Sequence, residues 1–191
     1  MSFLDLPNET ILQIAREQEF RDLNSLLRTN QRLARLLKTA LIDNVCALRE
    51  VETCKRALYA AANRGDKAIV QRLLDRGVLE FVGQGALLND AVLSVEEPGL
   101  RVLMECGIDP ETRDGEQQTP LCVASKNNRL EAVKLLMDDQ RVDVNSTDRS
   151  GRTPLSLAAG DGHVHIVRAL LEDTRVDVNL SCNTPSTSAF F

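Results

Sequence analysis

The sequence predicts an all-α fold in which two-helix repeats are stacked after a helical N-terminal region. The first observation is a repeat: the segment that begins at Thr119 recurs from Thr153, a shift of 34 residues. The second is that each copy holds two short stretches with apolar residues at helical spacing. The third is composition, because 43% of the 191 residues are hydrophobic and 3% are aromatic, which suits helices packed through Leu, Val and Ala. Such repeats cannot bury their apolar faces alone, so stacking should build one core and an extended binding surface.

The last copy shows why these residues should form a helix, a turn and a second helix. Thr153 can cap the first helix, and Pro154 fits at its first position, where no amide hydrogen is needed. Gly162 allows the left-handed turn that ends this helix. A second helix is expected over 166–171, ahead of the segment 176–179.

These copies resemble the ankyrin repeat in their short sequence motifs. The motifs are Thr-Pro-Leu at 153–155, Ala-Ala at 158–159, Gly-His at 162–163 and Val-Asp-Val-Asn at 176–179. The resemblance implies a solenoid with short hairpin loops that binds other proteins. The first copy lacks Thr-Pro, and the second is degenerate because Pro98-Gly99 opens its second helix. The predicted repeats cover about 55–84, 85–113, 114–147 and 148–179.

The first 45 residues carry a second pattern. Leu6-Pro7 precedes a stretch with apolar residues three and four apart, Asp22-Leu23 begins another, and a third follows from Leu33. This order resembles the F-box, although Leu33 stands where an aromatic residue often closes that motif. A helical connector is expected over 46–54, because 39–56 contain no Pro or Gly.

By this resemblance, a three-helix motif over 1–45 docks on the Skp adaptor of cullin-RING ubiquitin ligases. The repeats would then select the protein to be ubiquitylated. The alternative is that the same segment is only a helical cap over the open end of the repeats. The candidate adaptor-binding residues are Leu6, Pro7, Ile11, Ile14, Leu23 and Leu26.

The ankyrin resemblance places target binding at the hairpin tips and at exposed positions of each first helix. These side chains are mixed and polar, and solvation alone would also explain them. The candidate target-binding residues are Asn63, Arg64, Glu116, Gln118, Lys126, Asn127, Arg149, Ser150, Arg152 and Asp161.

Charge and cysteine usage narrow the partners and the compartment. A net charge of −5 gives no overall attraction to nucleic acid or an anionic membrane, so a protein partner is favoured. The sequence shows no apolar run of the roughly 18 residues that a membrane span needs. Five cysteines without a Cys-x-x-Cys pair do not indicate a disulfide framework. An intracellular location, in cytoplasm or nucleus, is expected.

Catalytic and metal motifs are weak in this sequence. It has no glycine-rich phosphate loop and no nucleophile elbow, so neither an enzyme nor a cofactor is expected. His163 and His165 have no evident third metal ligand, and Cys122 is interpreted as a core thiol. Two alternatives to a ligase subunit remain. One is an ankyrin scaffold or inhibitor, and the other is an enzyme with a groove site that uses Tyr59, Asp90 or Glu105.

The segment 180–191 has no charged residue and no further helix pair, so the fourth repeat lacks an evident polar cap. Phe190 and Phe191 could fold back over its apolar end. A second molecule could cover that end in a dimer. The chain could also be a shortened member of a longer family.

Overall fold

The computed structural model describes residues 51–82 and 84–180, and all regular secondary structure in these ranges is α-helical. The predicted all-α class is therefore confirmed for this part of the chain. The residues of the predicted N-terminal three-helix motif and residues 181–191 lie outside it. The helices are α1 (Val51–Asn63), α2 (Lys67–Asp75), α3 (Val78–Val82), α4 (Gln84–Ser94), α5 (Glu97–Glu105), α6 (Pro120–Lys126), α7 (Leu130–Asp138), α8 (Pro154–Gly160) and α9 (Val164–Glu172).

Threonine caps begin the first helices of the third and fourth repeats. Thr153 has extended backbone, and its Oγ1 accepts a hydrogen bond from the Ser156 amide at 3.2 Å. Pro154 follows as the first residue of α8, so the predicted cap and proline positions are confirmed. Thr119 caps α6 in the same way through the Cys122 amide. These caps satisfy amide groups that would otherwise have no partner at the helix start.

The turn between the two helices of a repeat needs one residue in the left-handed region. Gly162 has φ +75°, as predicted, and Gly65 has φ +71° in the first repeat. In the third repeat Asn128 occupies this position with φ +56°. Asn tolerates the conformation better than most residues with a Cβ, so the repeat keeps its turn without glycine.

The helices pack in two rows. The first helices of the repeats, α1, α4, α6 and α8, contact one another in that order, and the second helices, α2, α5, α7 and α9, form the other row. Within the third and fourth repeats the two helices also pack against each other. This arrangement makes one continuous core instead of four separate ones.

Leucines at equivalent positions build that core. Complete burial of one leucine side chain is worth about 1.5–3 kcal/mol, so the repeated position is a main source of stability. The leucines that are at most 1% exposed include Leu58, Leu88 and Leu121 in the first row and Leu73, Leu103, Leu136 and Leu170 in the second.

The junction between the first and second repeats holds a short helix that the sequence did not predict. The short helix α3 packs on α1, α2 and α4. Val78 and Val82 lie one helical turn apart and are both buried, which explains why this stretch is helical. The Asp-x-x-Gly turn seen at Asp148–Gly151 is absent here. Helix α1 is also long, and it continues without a break from Val51 to Asn63.

Gly99 allows α5 to approach the end of α1 closely. Pro98 lies in the first turn of α5, as predicted, and Gly99 follows it. A Cβ atom at Gly99 would lie 2.4 Å from Asn63 Oδ1 and 2.5 Å from Val95 Cγ1. The position therefore requires glycine for space, because its φ is not in the left-handed region.

Candidate protein-interaction surface

A buried carboxylate shapes the turn before α8. Asp148 Oδ1 accepts hydrogen bonds from the Ser150 and Arg152 amides, both at 2.9 Å. The Arg152 guanidinium donates to Asp148 Oδ2 at 2.9 Å through Nε. Burial raises the pKa of Asp148, but these amide and guanidinium bonds outweigh it and hold the net pKa below its usual value. Gly151 completes the turn with φ +74°.

The turn before α6 has the same design without the arginine. Asp114 Oδ1 accepts from the Glu116 amide at 2.9 Å and from the Gln118 amide at 2.8 Å. Gln117 stands where the fourth repeat has glycine, and its φ is +59°. A residue with a Cβ is strained in this region, so the third turn holds backbone strain that the fourth does not.

The two turns are joined to each other by hydrogen bonds to backbone oxygens. The Arg149 amide donates to Glu116 O at 3.0 Å. The Arg113 guanidinium donates to Thr147 O at 2.7 Å and to Gln117 O at 3.0 Å. The side chains of Glu116 and Arg149 are both exposed. They are consequently presented side by side from turns whose backbone is already held in place.

The ends of the first helices are exposed as well. Asn63, Arg64, Lys126, Asn127 and Asp161 are all exposed, as predicted from sequence. Some also hold neighbouring backbone in place: Asn63 Oδ1 accepts from the Glu96 amide at 3.2 Å, and Asn127 Nδ2 donates to Val123 O at 2.8 Å.

Two of the predicted target-binding residues are buried or half-buried and contact other parts of the chain. Gln118 is only 8% exposed, so the expectation of an exposed position is wrong for this residue. Its backbone oxygen accepts a 2.8 Å hydrogen bond from Asn89 Nδ2, which holds it against the preceding repeat. Arg152 is half-buried and paired with Asp148, so it supports its own turn. Glu116, Arg149 and the exposed Ser150 have no such constraint on their side chains.

Sequence reasoning missed Leu93 and Ser94, which belong to the same line. Alignment of Ala91 with Ala124 places them at the positions of Lys126 and Asn127, and this signal was present in the sequence. Leu93 is 47% exposed. Apart from Val51 at the start of α1, it is the one large exposed apolar side chain on the described first helices. We call this set the recognition row: the first-helix ends Asn63, Arg64, Leu93, Ser94, Lys126, Asn127 and Asp161, with the turn tips Glu116, Arg149 and Ser150.

A shallow cleft of about 330 Å³ lies between α1 and α4, beside Leu93. Tyr59 and Asp90 both line it, and Asp90 forms an ion pair with Lys55. The Tyr59 hydroxyl donates to Leu87 O at 2.7 Å. Burial, followed by the negative charge of Asp90, raises the pKa of Tyr59. Tyr59 therefore stays protonated and serves as a hydrogen-bond donor between the first two repeats.

The third residue of the enzyme alternative is elsewhere. Glu105 is on α5 and forms an ion pair with Lys67 of α2 at 2.6 Å, and it does not line the cleft. The structure thus brings Tyr59 and Asp90 together but does not bring Glu105 to them.

His163 and the cysteines Cys106 and Cys122 have structural contacts. His163 Nε2 donates to Lys126 O at 2.9 Å, which ties the fourth repeat to the third. Within these ranges no group of three or more His, Cys, Asp or Glu side chains could hold a metal ion. Cys122 is fully buried, as predicted, and burial raises the pKa of its thiol. Cys106 and Cys122 are free thiols.

The candidate adaptor-binding residues lie outside the described part of the chain. They are Leu6, Pro7, Ile11, Ile14, Leu23 and Leu26.

Stacked helix pairs with joined turn tips define a helical-repeat protein. Residues 88–182 match the family model for ankyrin repeats (3 copies), so the predicted repeats are confirmed for this segment. A Pyrobaculum aerophilum protein named for its ankyrin repeats is 40% identical over 80 residues. This alignment spans 41% of the present chain and 30% of that relative's length. Ankyrin repeats indicate a protein-interaction scaffold, and the family is typically non-catalytic.

Among the described helices, none combines the length and the apolar character that a membrane span requires. This finding concerns residues 51–82 and 84–180 only.

Proposed function

We propose that the chain is a protein-interaction adaptor whose recognition row holds a target protein while residues 1–45 act as an F-box. The observation that supports target binding is the recognition row itself. Its first-helix side chains are exposed at equivalent positions of all four helix pairs. Its turn tips lie on backbone that part-buried hydrogen bonds to Asp114 and Asp148 hold in place. Binding by such a surface costs little conformational entropy, because the turns are already ordered before the partner arrives.

The recognition row offers three kinds of contact. Leu93 supplies an apolar contact point beside the cleft, and Glu116 and Arg149 supply opposite charges on adjacent turns. Arg64, Lys126 and Asp161 add charge at the ends of the first helices. A mixture of apolar and charged contacts is typical of specific protein interfaces.

The F-box part of the proposal is supported by sequence resemblance. Residues 1–45 would bind a Skp-type adaptor through Leu6, Pro7, Ile11, Ile14, Leu23 and Leu26. A connector over 46–54 would join them to repeats that cover 55–179. The bound target would then be ubiquitylated in the cytoplasm or nucleus by a Skp-cullin-F-box ligase.

Target binding is tested by charge reversal at the turn tips. In Glu116→Arg combined with Arg149→Glu, the net charge is unchanged but the pattern is inverted. We expect target affinity to fall at least tenfold, or about 1.4 kcal/mol, with an unchanged melting temperature. Lys134→Glu, on the opposite row, is the matched control and should bind normally. Equal affinity of all three proteins would refute the recognition row.

The ligase role is tested separately with a purified Skp adaptor. Leu6→Asp combined with Pro7→Ala should abolish copurification while the helical signal and unfolding of the repeats are retained. Adaptor binding that survives this double change would rule out the F-box assignment. It would leave target binding by the repeats untouched.

The second candidate function is an ankyrin scaffold or inhibitor with no link to ubiquitylation. The family match to residues 88–182 favours it, because that match covers the repeats and not residues 1–45. A chain that retains its target but shows no adaptor binding would support this candidate. A dimer through the fourth repeat is compatible with either function, and light scattering at several concentrations would detect it.

A further inference from the structure

The fourth repeat exposes apolar residues whose counterparts in the third repeat are covered. Val144 is 3% exposed, whereas Val178, 34 residues later, is 61% exposed. Ser146 is 2% exposed, whereas Leu180 at the same position is 43% exposed. The half-buried Leu130 and Met137 correspond to exposed Val164 and Leu171. We call Val164, Leu171, Val178 and Leu180 the end face.

The cause of this difference is the neighbouring helix pair. In the third repeat, α8 packs on α6 and α9 packs on α7. No described element does this for α8 and α9. The end face also has Leu180 where the third repeat has the buried Ser146. It is therefore more apolar than the corresponding surface of the third repeat. Exposed apolar residues that are covered in the neighbouring repeat point to an interaction surface.

We propose that residues 181–191 of the same chain cover the end face, with Phe190 and Phe191 as the apolar contacts. This segment continues directly from Leu180, which is itself part of the face. It contains no charged residue, so covering the face would bury no ion. Its two phenylalanines bring more apolar area than any other residues within reach.

The length of the segment is sufficient for this contact. From Leu180 to Phe190 an extended chain spans about 33 Å, whereas a helix with its side chains is about 10–12 Å wide. The segment is therefore long enough to cross the width of α9. Intramolecular cover also leaves the recognition row free, because that row lies on the first helices and their turns.

The test compares three full-length proteins: the unchanged chain, Phe190→Ser with Phe191→Ser, and Ser186→Ala with Ser188→Ala as a control in the same segment. Amide hydrogen exchange reports the cover on α9. We expect the phenylalanine variant to exchange about tenfold faster in α9 and at 176–180, with α2 unchanged, and the serine control to match the unchanged chain. Unaltered exchange in the phenylalanine variant would overturn the proposal.

A double-mutant cycle makes the contact specific. Leu171→Ala alone should accelerate exchange in α9, and adding the phenylalanine changes should have little further effect, because both remove the same contact. Fully additive effects would contradict it. Sedimentation velocity shows whether residues 181–191 or a second copy of the chain covers the end face. A monomer across the concentration range supports the proposal, and α9 protection that grows with dimer formation overturns it.

Discussion

The third and fourth repeats have closely similar sequences but different surroundings. Thr119 and Thr153 cap their helices alike, and Leu136 and Leu170 are both completely buried. Yet Val144 is covered by the next repeat, while its counterpart Val178 is exposed. The comparison teaches that a repeat encodes its own helix pair, whereas the fate of its outer residues depends on the neighbour. Exchange of matched residues between the two repeats can therefore separate the two contributions.

The largest effect is expected from the shared core leucine. Leu136→Ala should lower the free energy of unfolding by about 2–5 kcal/mol, because it leaves a cavity between packed repeats. Leu170→Ala should cost at least ~1 kcal/mol less, because the fourth repeat has one described neighbour and can loosen locally. Urea unfolding measures both. Equal losses would show that the fourth repeat is coupled as strongly as the third.

Glycine positions extend the comparison to the first two repeats. Gly99→Ala should destabilise the protein by about 1–3 kcal/mol, because the added Cβ would meet Asn63 and Val95. Gly160→Ala in α8 meets no atom within 4 Å and should stabilise by about 0.5–1 kcal/mol. Thermal unfolding of the two variants gives the sign directly. A Gly99→Ala protein as stable as the parent would disprove the close approach of α5 to α1.

Replacing the two turn aspartates, Asp148 and Asp114, should lower the free energy of unfolding by different amounts, because Asp148 has more hydrogen-bond partners. Asp148→Asn loses the Arg152 ion pair as well as charge-assisted amide bonds, and should cost about 1–3 kcal/mol. Asp114→Asn has no such arginine to lose and should cost less. Denaturant unfolding at neutral pH ranks the pair, and the reverse order would contradict the assigned roles.

The same carboxylate predicts a pH dependence. The folded pKa of Asp148 is depressed, so its stabilisation is present above the unfolded value of 3.8 and is lost as pH falls through the folded pKa. The difference in free energy of unfolding between the parent and Asp148→Asn should consequently narrow as the pH falls through the folded pKa of Asp148. A difference that stays constant under acid conditions would show that the charge of Asp148 is unimportant.

The smallest effect is expected at the left-handed turn position. Gln117→Gly should stabilise by about 0.5–1 kcal/mol, because glycine removes strain of about 1–2 kcal/mol at a small entropic cost. Gly151→Gln should destabilise by a similar amount. The exchange tests whether the turns are equivalent, and calorimetry of both variants measures it. A destabilised Gln117→Gly protein would mean that the glutamine side chain makes a stabilising contact.

Much of the repeat architecture was predictable because its signals are local. The cap at Thr153, the proline after it and the left-handed Gly162 depend on residues within a single turn of chain, and all three were predicted correctly. The helix α3 was not predicted, because the only clue was the absence of an Asp-x-x-Gly turn between the first two repeats. Its formation depends on the burial of Val78 and Val82 against three other helices.

The recognition row was predicted in part for a similar reason. Exposure of Lys126 and Arg149 followed from their positions in the repeat, whereas the burial of Gln118 depends on Asn89 in the preceding repeat. The role of Arg152 depends on how deeply Asp148 is buried. Leu93 and Ser94 were missed because their repeat is degenerate. The F-box residues stay predictions, since they lie outside the described part of the chain.

The most direct test of target binding places a photoreactive amino acid at one position of the full chain in cell extract. Two positions are compared: Arg149 in the recognition row and Lys134, which is exposed on the second-helix row. The proposed function predicts a crosslinked target from position 149 and none from position 134. Crosslinking of the same target only from position 134 would contradict it.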